Sequence, residues 1–185
     1  MNPHFIFNSL NSIRDYLSRN RTEEAGEYLA RFASLMRSIL ENSEQKEVPI
    51  SDDIDAMKLY LELELLRLNN SFSYRIVVDD SIDVERTYIP PLILQPFIEN
   101  SIWHGLNAKS GDDGMLSVEI HQKEGMLCCV VEDNGKGRGG VDVSRRSFGM
   151  KITSDRIRML DKKATMRVVD LEQGTRVEIW LPILL

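Results

Sequence analysis

Apolar positions in the first part of the chain recur at helical spacing. Ile6, Leu10, Ile13 and Leu17 are four, three and four residues apart. Tyr28, Phe32, Leu35 and Ile39 repeat the pattern, and Leu29, Met36 and Leu40 widen that stripe. A polar break, Ser18-Arg19-Asn20-Arg21-Thr22, separates the two. The pattern predicts two helices packed as a hairpin, or four helices from two chains. Helices this short bury little surface alone, which favours a dimeric bundle. Val48-Pro49-Ile50-Ser51-Asp52-Asp53 marks the next boundary, with Ser51 or an aspartate as helix cap. Ile54, Met57, Leu61, Leu65 and Leu68 form the apolar face of this third helix.

After Asn69-Asn70 the period changes to two. Phe72, Tyr74, Ile76 and Val78 alternate with Ser73, Arg75 and Val77, the mark of a half-buried strand. Pro90-Pro91 is expected to open a helix that runs to about His104 and stops at Gly105, its regular part starting near Pro96. Leu116, Val118 and Ile120 alternate again, and Met126 to Val131 is a continuous apolar run suited to a central strand, with Gly125 in the turn between. A Gly- and Arg-rich stretch, Asn134 to Ser147, leads to a helix at about Gly149 to Leu160. Two last strands, about Thr165 to Val169 and Arg176 to Leu181, are joined through Gln173-Gly174. Strands cluster instead of alternating with helices. The expected class is therefore α+β: a helical hairpin (residues 1–47), then a sandwich (residues 48–185) whose mixed sheet is covered on one face by helices.

Composition narrows the function. The chain has 185 residues, 42% hydrophobic and 28% charged, a globular mixture with room for one domain and a helical appendage. Lys+Arg is 23 and Asp+Glu 29, a net charge of −6, which argues against a broad electrostatic grip on DNA or RNA. No apolar run reaches the roughly 18–20 residues that span a bilayer, so no transmembrane helix and no membrane contact are expected from this stretch. Met1 is followed at once by Asn-Pro-His, and no signal peptide is expected. The 2 cysteines, Cys128 and Cys129, are adjacent and would point to opposite faces of a strand, so neither a disulfide nor a zinc site is expected.

Five short constellations carry candidate chemistry. In Asn2-Pro3-His4-Phe5-Ile6-Phe7-Asn8-Ser9-Leu10-Asn11, His4, Asn8 and Asn11 share a helix face. A histidine largely neutral at cellular pH offers a nucleophilic ring nitrogen. In Leu94 to Gly105, Asn100 and His104 are four apart, and an Asn oxygen suits Mg²⁺ beside nucleotide phosphates. Val131-Glu132-Asp133-Asn134-Gly135-Lys136-Gly137 puts an acceptor at the root of a glycine loop, fit for an exocyclic amine such as that of adenine. Ser147-Phe148-Gly149-Met150 precedes a helix containing Arg156 and Arg158, where backbone N–H groups could meet phosphate. Gly174-Thr175 enters the last strand. Alone, these are a surface histidine, a helix with a polar edge, a common turn and a solvated loop.

Their order is more specific than any one of them. The series resembles the cytoplasmic core of sensor histidine kinases, in particular the LytS-like family with its NPHFxFN histidine box, over essentially the whole chain. Pro90–Gly105 is similar to that family's N box, Asp133–Gly137 to its adenine box, Gly149 to its second glycine box, and Gly174-Thr175 to the terminal GT. The resemblance implies an ATP-binding sandwich of the gyrase/Hsp90/histidine kinase/MutL (GHKL, HATPase) type behind a dimerising, phosphoaccepting hairpin. It implies His4 as phosphoacceptor and Asn100 as Mg²⁺ ligand. It places Asn100, His104, Asp133, Gly135, Gly137, Gly149, Arg156, Gly174 and Thr175 on the nucleotide. It further implies a homodimer, relay to a response regulator of LytTR type, and a longer parent anchored in the bacterial inner membrane, of which this chain is a truncated cytoplasmic piece. The pattern also departs from the family. Ser147 and Ile152 replace the first Gly and the Asn of the second glycine box, Trp103 replaces a frequent lysine, and Pro96 stands where related ATPases carry a catalytic Glu. Pro96 disfavours water activation. No acid follows His4, which leaves Glu99 as the candidate base. A GHKL-type ATP-binding conformational protein or serine kinase, and a degenerate, non-catalytic dimeric scaffold, are the alternatives.

Overall fold

Helices α1 (Pro3–Ser18) and α2 (Thr22–Ser43) form the hairpin, turned at Asn20, whose φ of 57° is a left-handed conformation that asparagine tolerates. The structure, a computed structural model, describes residues 3–107, 113–136, 154–155, 157–159 and 161–183. The face of α1 that packs inward differs from the periodic stripe. Phe5 and Ser9 are buried, whereas Ile6 and Ile13 are half-buried and Leu10 and Leu17 exposed. Phe5 sets the rotation: its ring lies 6.1 Å from that of Phe32 and 4.9 Å from that of Tyr60. One buried aromatic ring removes more surface from water than Leu10 would. On α2 the stripe is narrower than expected: Tyr28, Leu35 and Ile39 are buried, but Leu29 and Leu40, expected to widen it, are left outside.

Helix α3 (Ile50–Arg67) follows the two-residue strand β1 (Val48–Pro49). No side chain caps it. The Asp53 carboxylate, expected as a cap, instead accepts the Leu92 N–H at 2.8 Å. It thereby holds a leucine whose φ of 58° is left-handed and unfavourable for that residue. Helix α3 packs on α2 and also reaches the sheet, so it is buried on more than one side: Tyr60, Leu63 and Glu64 are as enclosed as Leu61. Arg31 of α2 is paired with Glu62 of α3 at 3.0 Å.

The main sheet contains β2 (Phe72–Val78), β4 (Gly114–Lys123), β5 (Met126–Asp133), β6 (Thr165–Asp170) and β7 (Thr175–Pro182), in the order β2-β4-β5-β7-β6. β2 and β4 run parallel and the other pairs antiparallel. The two-residue strand β3 (Tyr88–Ile89) pairs only with β1. Met126–Val131 is central, as its unbroken apolar run requires. Glu124 and Gly125, at φ 52° and 74°, make the tight turn that joins β4 to β5.

Leu116, Val118, Ile120, Cys129, Val131, Val177 and Ile179 face the helices in one continuous core. The α+β sandwich with helices on one face is thus realised. Cys128 and Cys129 are both free, and burial pushes the Cys129 thiol up to about 12, so it is an inert core residue. The opposite face is polar. Arg75 meets Glu119 at 2.6 Å, and Arg176 bridges Glu132 and Glu178 at 2.9 Å each. Burial raises the Glu119 carboxyl, but hydrogen bonds from His121 and Ser117 and the Arg75 charge outweigh it and hold the group low.

Ile179 is fully buried on β7 beside the central strand. Ile179→Ala is expected to destabilise the fold by about 2–5 kcal/mol. Urea denaturation checks this: the midpoint should fall with an unchanged slope.

Candidate functional site

The site is built around the last residue of β5. Asp133 is buried, 4% exposed, at the edge of the sheet where the central strand ends. Its carboxylate is held from two sides. Ser101 donates its hydroxyl to Oδ2 at 2.8 Å, and the Gly135 N–H donates to Oδ1 at 3.0 Å. Thr175 is its cross-strand partner on β7.

The helix that supplies Ser101 departs from the expected one. Pro90 to Leu94 are not helical; α4 (Gln95–Asn100) starts one residue before Pro96 and passes into a π-helical turn (Ser101–Leu106). Proline at the second position lacks only an N–H that a first turn leaves unpaired anyway. Gly105 does not stop the helix. It lies inside the widened turn, which the Asn107 N–H closes onto the Ile102 carbonyl at 2.8 Å. The widening brings the glycine against the site. A Cβ on Gly105 would fall 2.6 Å from Asp133 Oδ1, and one on Gly135 would fall 2.3 Å from the Gly105 backbone. Gly174, at φ 93°, passes so close to the Asp133 carbonyl that no side chain fits. The Lys136 N–H reaches the Gly105 carbonyl at 3.3 Å, tying the glycine loop to the π turn.

Asp133, Gly135, Gly174 and Thr175 are therefore brought together. Asn100 and His104 are exposed on the helix that packs over them. Glu99 is half-buried and accepts the Gln95 side-chain amide at 3.3 Å. His4 is exposed on α1, a separate element. Gly137, Gly149 and Arg156, with Ser147 and Ile152, lie outside the described residues. No three His, Cys, Asp or Glu among the described residues converge as a metal site.

Sequence reasoning missed Ser101, Gly105 and Asn134. Asn134 accepts the Met115 N–H at 2.7 Å and donates to the Asp113 carbonyl at 2.9 Å, locking the start of β4 to the end of β5. The available signal was position: Ser101 lies four residues before Gly105, on a helix face flanking the Asn100/His104 edge.

A sheet covered on one face by helices, with a buried aspartate and glycines where its central strand ends, defines the catalytic fold of histidine kinases. Solved structures share it. The histidine kinase domain of the Erythrobacter litoralis EL346 blue-light activated kinase matches with a TM-score of 0.56 and 12% identity, covering 97% of this chain and 93% of that one. The catalytic domain of histidine kinase ThkA matches at 0.54 and 12%, over 74% of this chain and 93% of that one. ThkA in complex with the response regulator TrrA matches at 0.51 and 14%, over 97% and 59%. Residues 1–72 match the family model described as histidine kinase. LytS sensor proteins of Bacillus cereus and Oceanobacillus iheyensis are 32% and 36% identical over 74% of this chain and 23% of their own length. The sensor histidine kinase/phosphatase LytS of Staphylococcus aureus is 33% identical over the same shares. The chain belongs to the LytS-like sensor histidine kinases, and it spans about a quarter of the length of these relatives.

Gly105→Ala tests the close approach of the π turn to Asp133. Displacing the carboxylate is expected to cost about 1–3 kcal/mol, read as a lowered thermal midpoint. Ala at Gly26, which would touch nothing, should leave the midpoint unchanged or raise it.

Proposed function

We propose that the chain is the catalytic core of a two-component sensor kinase, which transfers the γ-phosphoryl of ATP to His4 and then to an aspartate of a response-regulator receiver domain. The buried Asp133 carboxylate carries the reading. An ionised carboxylate accepts from several donors at once, so a group fixed by Ser101 and Gly135 can also receive the exocyclic amine of adenine. Gly105 and Gly174 pack directly on Asp133, so backbone and not side chain surrounds the carboxylate at these two points. By family resemblance, Gly135, Gly137 and Gly149 are assigned to the phosphates, with Arg156, Thr175 and His104 as further nucleotide contacts.

Asn100 would hold Mg²⁺, which would supply charge neutralisation on the phosphates. A ring nitrogen of His4 attacks the γ-phosphorus as its bond to the bridging oxygen breaks; ADP leaves, and the displaced ring proton passes to a base, for which Glu99 is the candidate. Such transfer depends on alignment and electrostatics more than on covalent help from the protein. The functional division falls at residues 47 and 48, hairpin before and nucleotide domain after.

The hairpin also fits a second copy. Phe7, Leu10 and Leu17 of α1 and Leu29 and Leu40 of α2 are each about half exposed or more, an unusual number of large apolar side chains for one solvated hairpin. Two such hairpins close a four-helix bundle, giving a homodimer. The relay partner, by family resemblance, is a regulator of LytTR type. The same resemblance assigns the core to the cytoplasmic side of a longer kinase anchored in the inner membrane. Among the described residues, no helix is long and apolar enough to cross a membrane.

His4 and the nucleotide groups lie on different elements, so binding and transfer should separate. His4→Ala is expected to abolish labelling from γ-labelled ATP while ATP affinity by calorimetry stays within about twofold. The wild-type label should be lost in acid and persist in base, as a phosphoramidate does. Label that survives acid, or that remains on His4→Ala, contradicts the reading.

A further inference from the structure

A chain of packed side chains joins the histidine helix to the site. Phe5, the residue after His4, stacks on Tyr60 of α3 at 4.9 Å. One turn further along α3, Glu64 is fully buried and takes both arms of Arg67: Nε–H to Oε1 at 3.1 Å and Nη2–H to Oε2 at 2.6 Å. The Arg67 guanidinium lies 4.6 Å from the ring centroid of Trp103 on the π turn. Trp103 stands between Ser101 and Gly105, the two residues of that turn that meet Asp133.

This arrangement is not explained by stability alone. Burying a carboxylate with an arginine roughly cancels in free energy against an apolar pair of similar size. The junction also encloses two polar atoms, Tyr60 Oη and Trp103 Nε1, which make no hydrogen bond of good geometry and lie within electrostatic reach of each other. It is therefore held by packing, the ion pair and the stacked guanidinium. None of Glu64, Arg67 and Trp103 is among the groups read as holding ATP. All three sit where the nucleotide helix meets the hairpin's support.

We propose that Glu64, Arg67 and Trp103 form a positioning clasp, which fixes the π turn against α3 and so sets where the bound γ-phosphoryl stands relative to the histidine helix. The inference rests on the kinase reading above. Phosphoryl transfer needs the reacting atoms at near-contact distance and in line, and a misplacement of about 1 Å can cost about a hundredfold in rate. A clasp whose three side chains are not themselves read as nucleotide contacts acts more on the transfer rate than on nucleotide affinity.

The test is the single-turnover rate of His4 labelling at saturating ATP, with ADP affinity measured by calorimetry on the same proteins. Trp103→Leu removes the stacking face and leaves the ion pair. Glu64→Gln with Arg67→Met removes both charges together, so no unpaired charge stays buried. Each is expected to slow transfer roughly ten- to hundredfold while ADP affinity stays within about twofold, and the two combined should be no slower than either alone. Trp103→Phe, which keeps an aromatic face, should recover most of the rate. Unchanged rates, rates that fall in step with ADP affinity, or faster transfer in either variant would overturn the clasp. If the wild type does not label His4, the kinase reading falls and the clasp with it. If the wild type labels and the variants are indifferent, the clasp alone falls.

Discussion

A carboxylate cannot be enclosed at the end of a central strand unless donors surround it, and that requirement organises this molecule. Asp133 needs the Ser101 hydroxyl and the Gly135 N–H, so the N-box helix has to lie across the end of β5 and the glycine loop has to turn back at once. The helix can approach that closely only where it has no side chain, which is Gly105. The α-to-π transition puts Ser101 and Gly105 on the same side of the helix as the carboxylate, and Gly174 keeps the β6–β7 turn clear of the Asp133 carbonyl. One buried carboxyl group thus ties together an inner strand, a helix, a loop and a hairpin turn that are far apart in sequence.

Much of this was legible in the residues and some was not. Period-two alternation placed Phe72–Val78, and the unbroken run Met126–Val131 placed the central strand, because burial on one face or on two leaves a direct trace in the sequence. Asp133, Gly135 and Gly174 were legible as motif members because their chemistry tolerates few substitutes. The π turn was not. Gly105 reads locally as a helix stop, and only the Asp133 carboxylate beside it explains why the helix continues. The rotation of α1 was hidden because Phe5 lies outside the aliphatic repeat, and its partners Phe32 and Tyr60 come from other helices. Asp53 looked like a cap, but a helix start next to Pro49 left it to hold Leu92 instead.

Helix α3 occupies a middle position that its sequence gave little hint of. Its Glu64 and Arg67 look like an exposed pair one turn apart, yet the carboxylate is fully enclosed because the hairpin packs on one side and the π turn on the other. The same helix thus touches the support of His4 and the support of Asp133. In a reaction governed by alignment, an element that contacts both halves is well placed to set the distance between them.

The central claim is that Asp133 reads an adenine amine. Guanine presents a carbonyl at the corresponding position, which would meet the carboxylate acceptor to acceptor. Calorimetric titration of the wild-type chain with ADP and with GDP tests this directly. The account predicts that ADP binds and that GDP binds at least about a hundredfold more weakly, since a site built around a hydrogen bond rejects a ligand that leaves it unpaired. Equal affinity for the two nucleotides, or none for ADP, would contradict it.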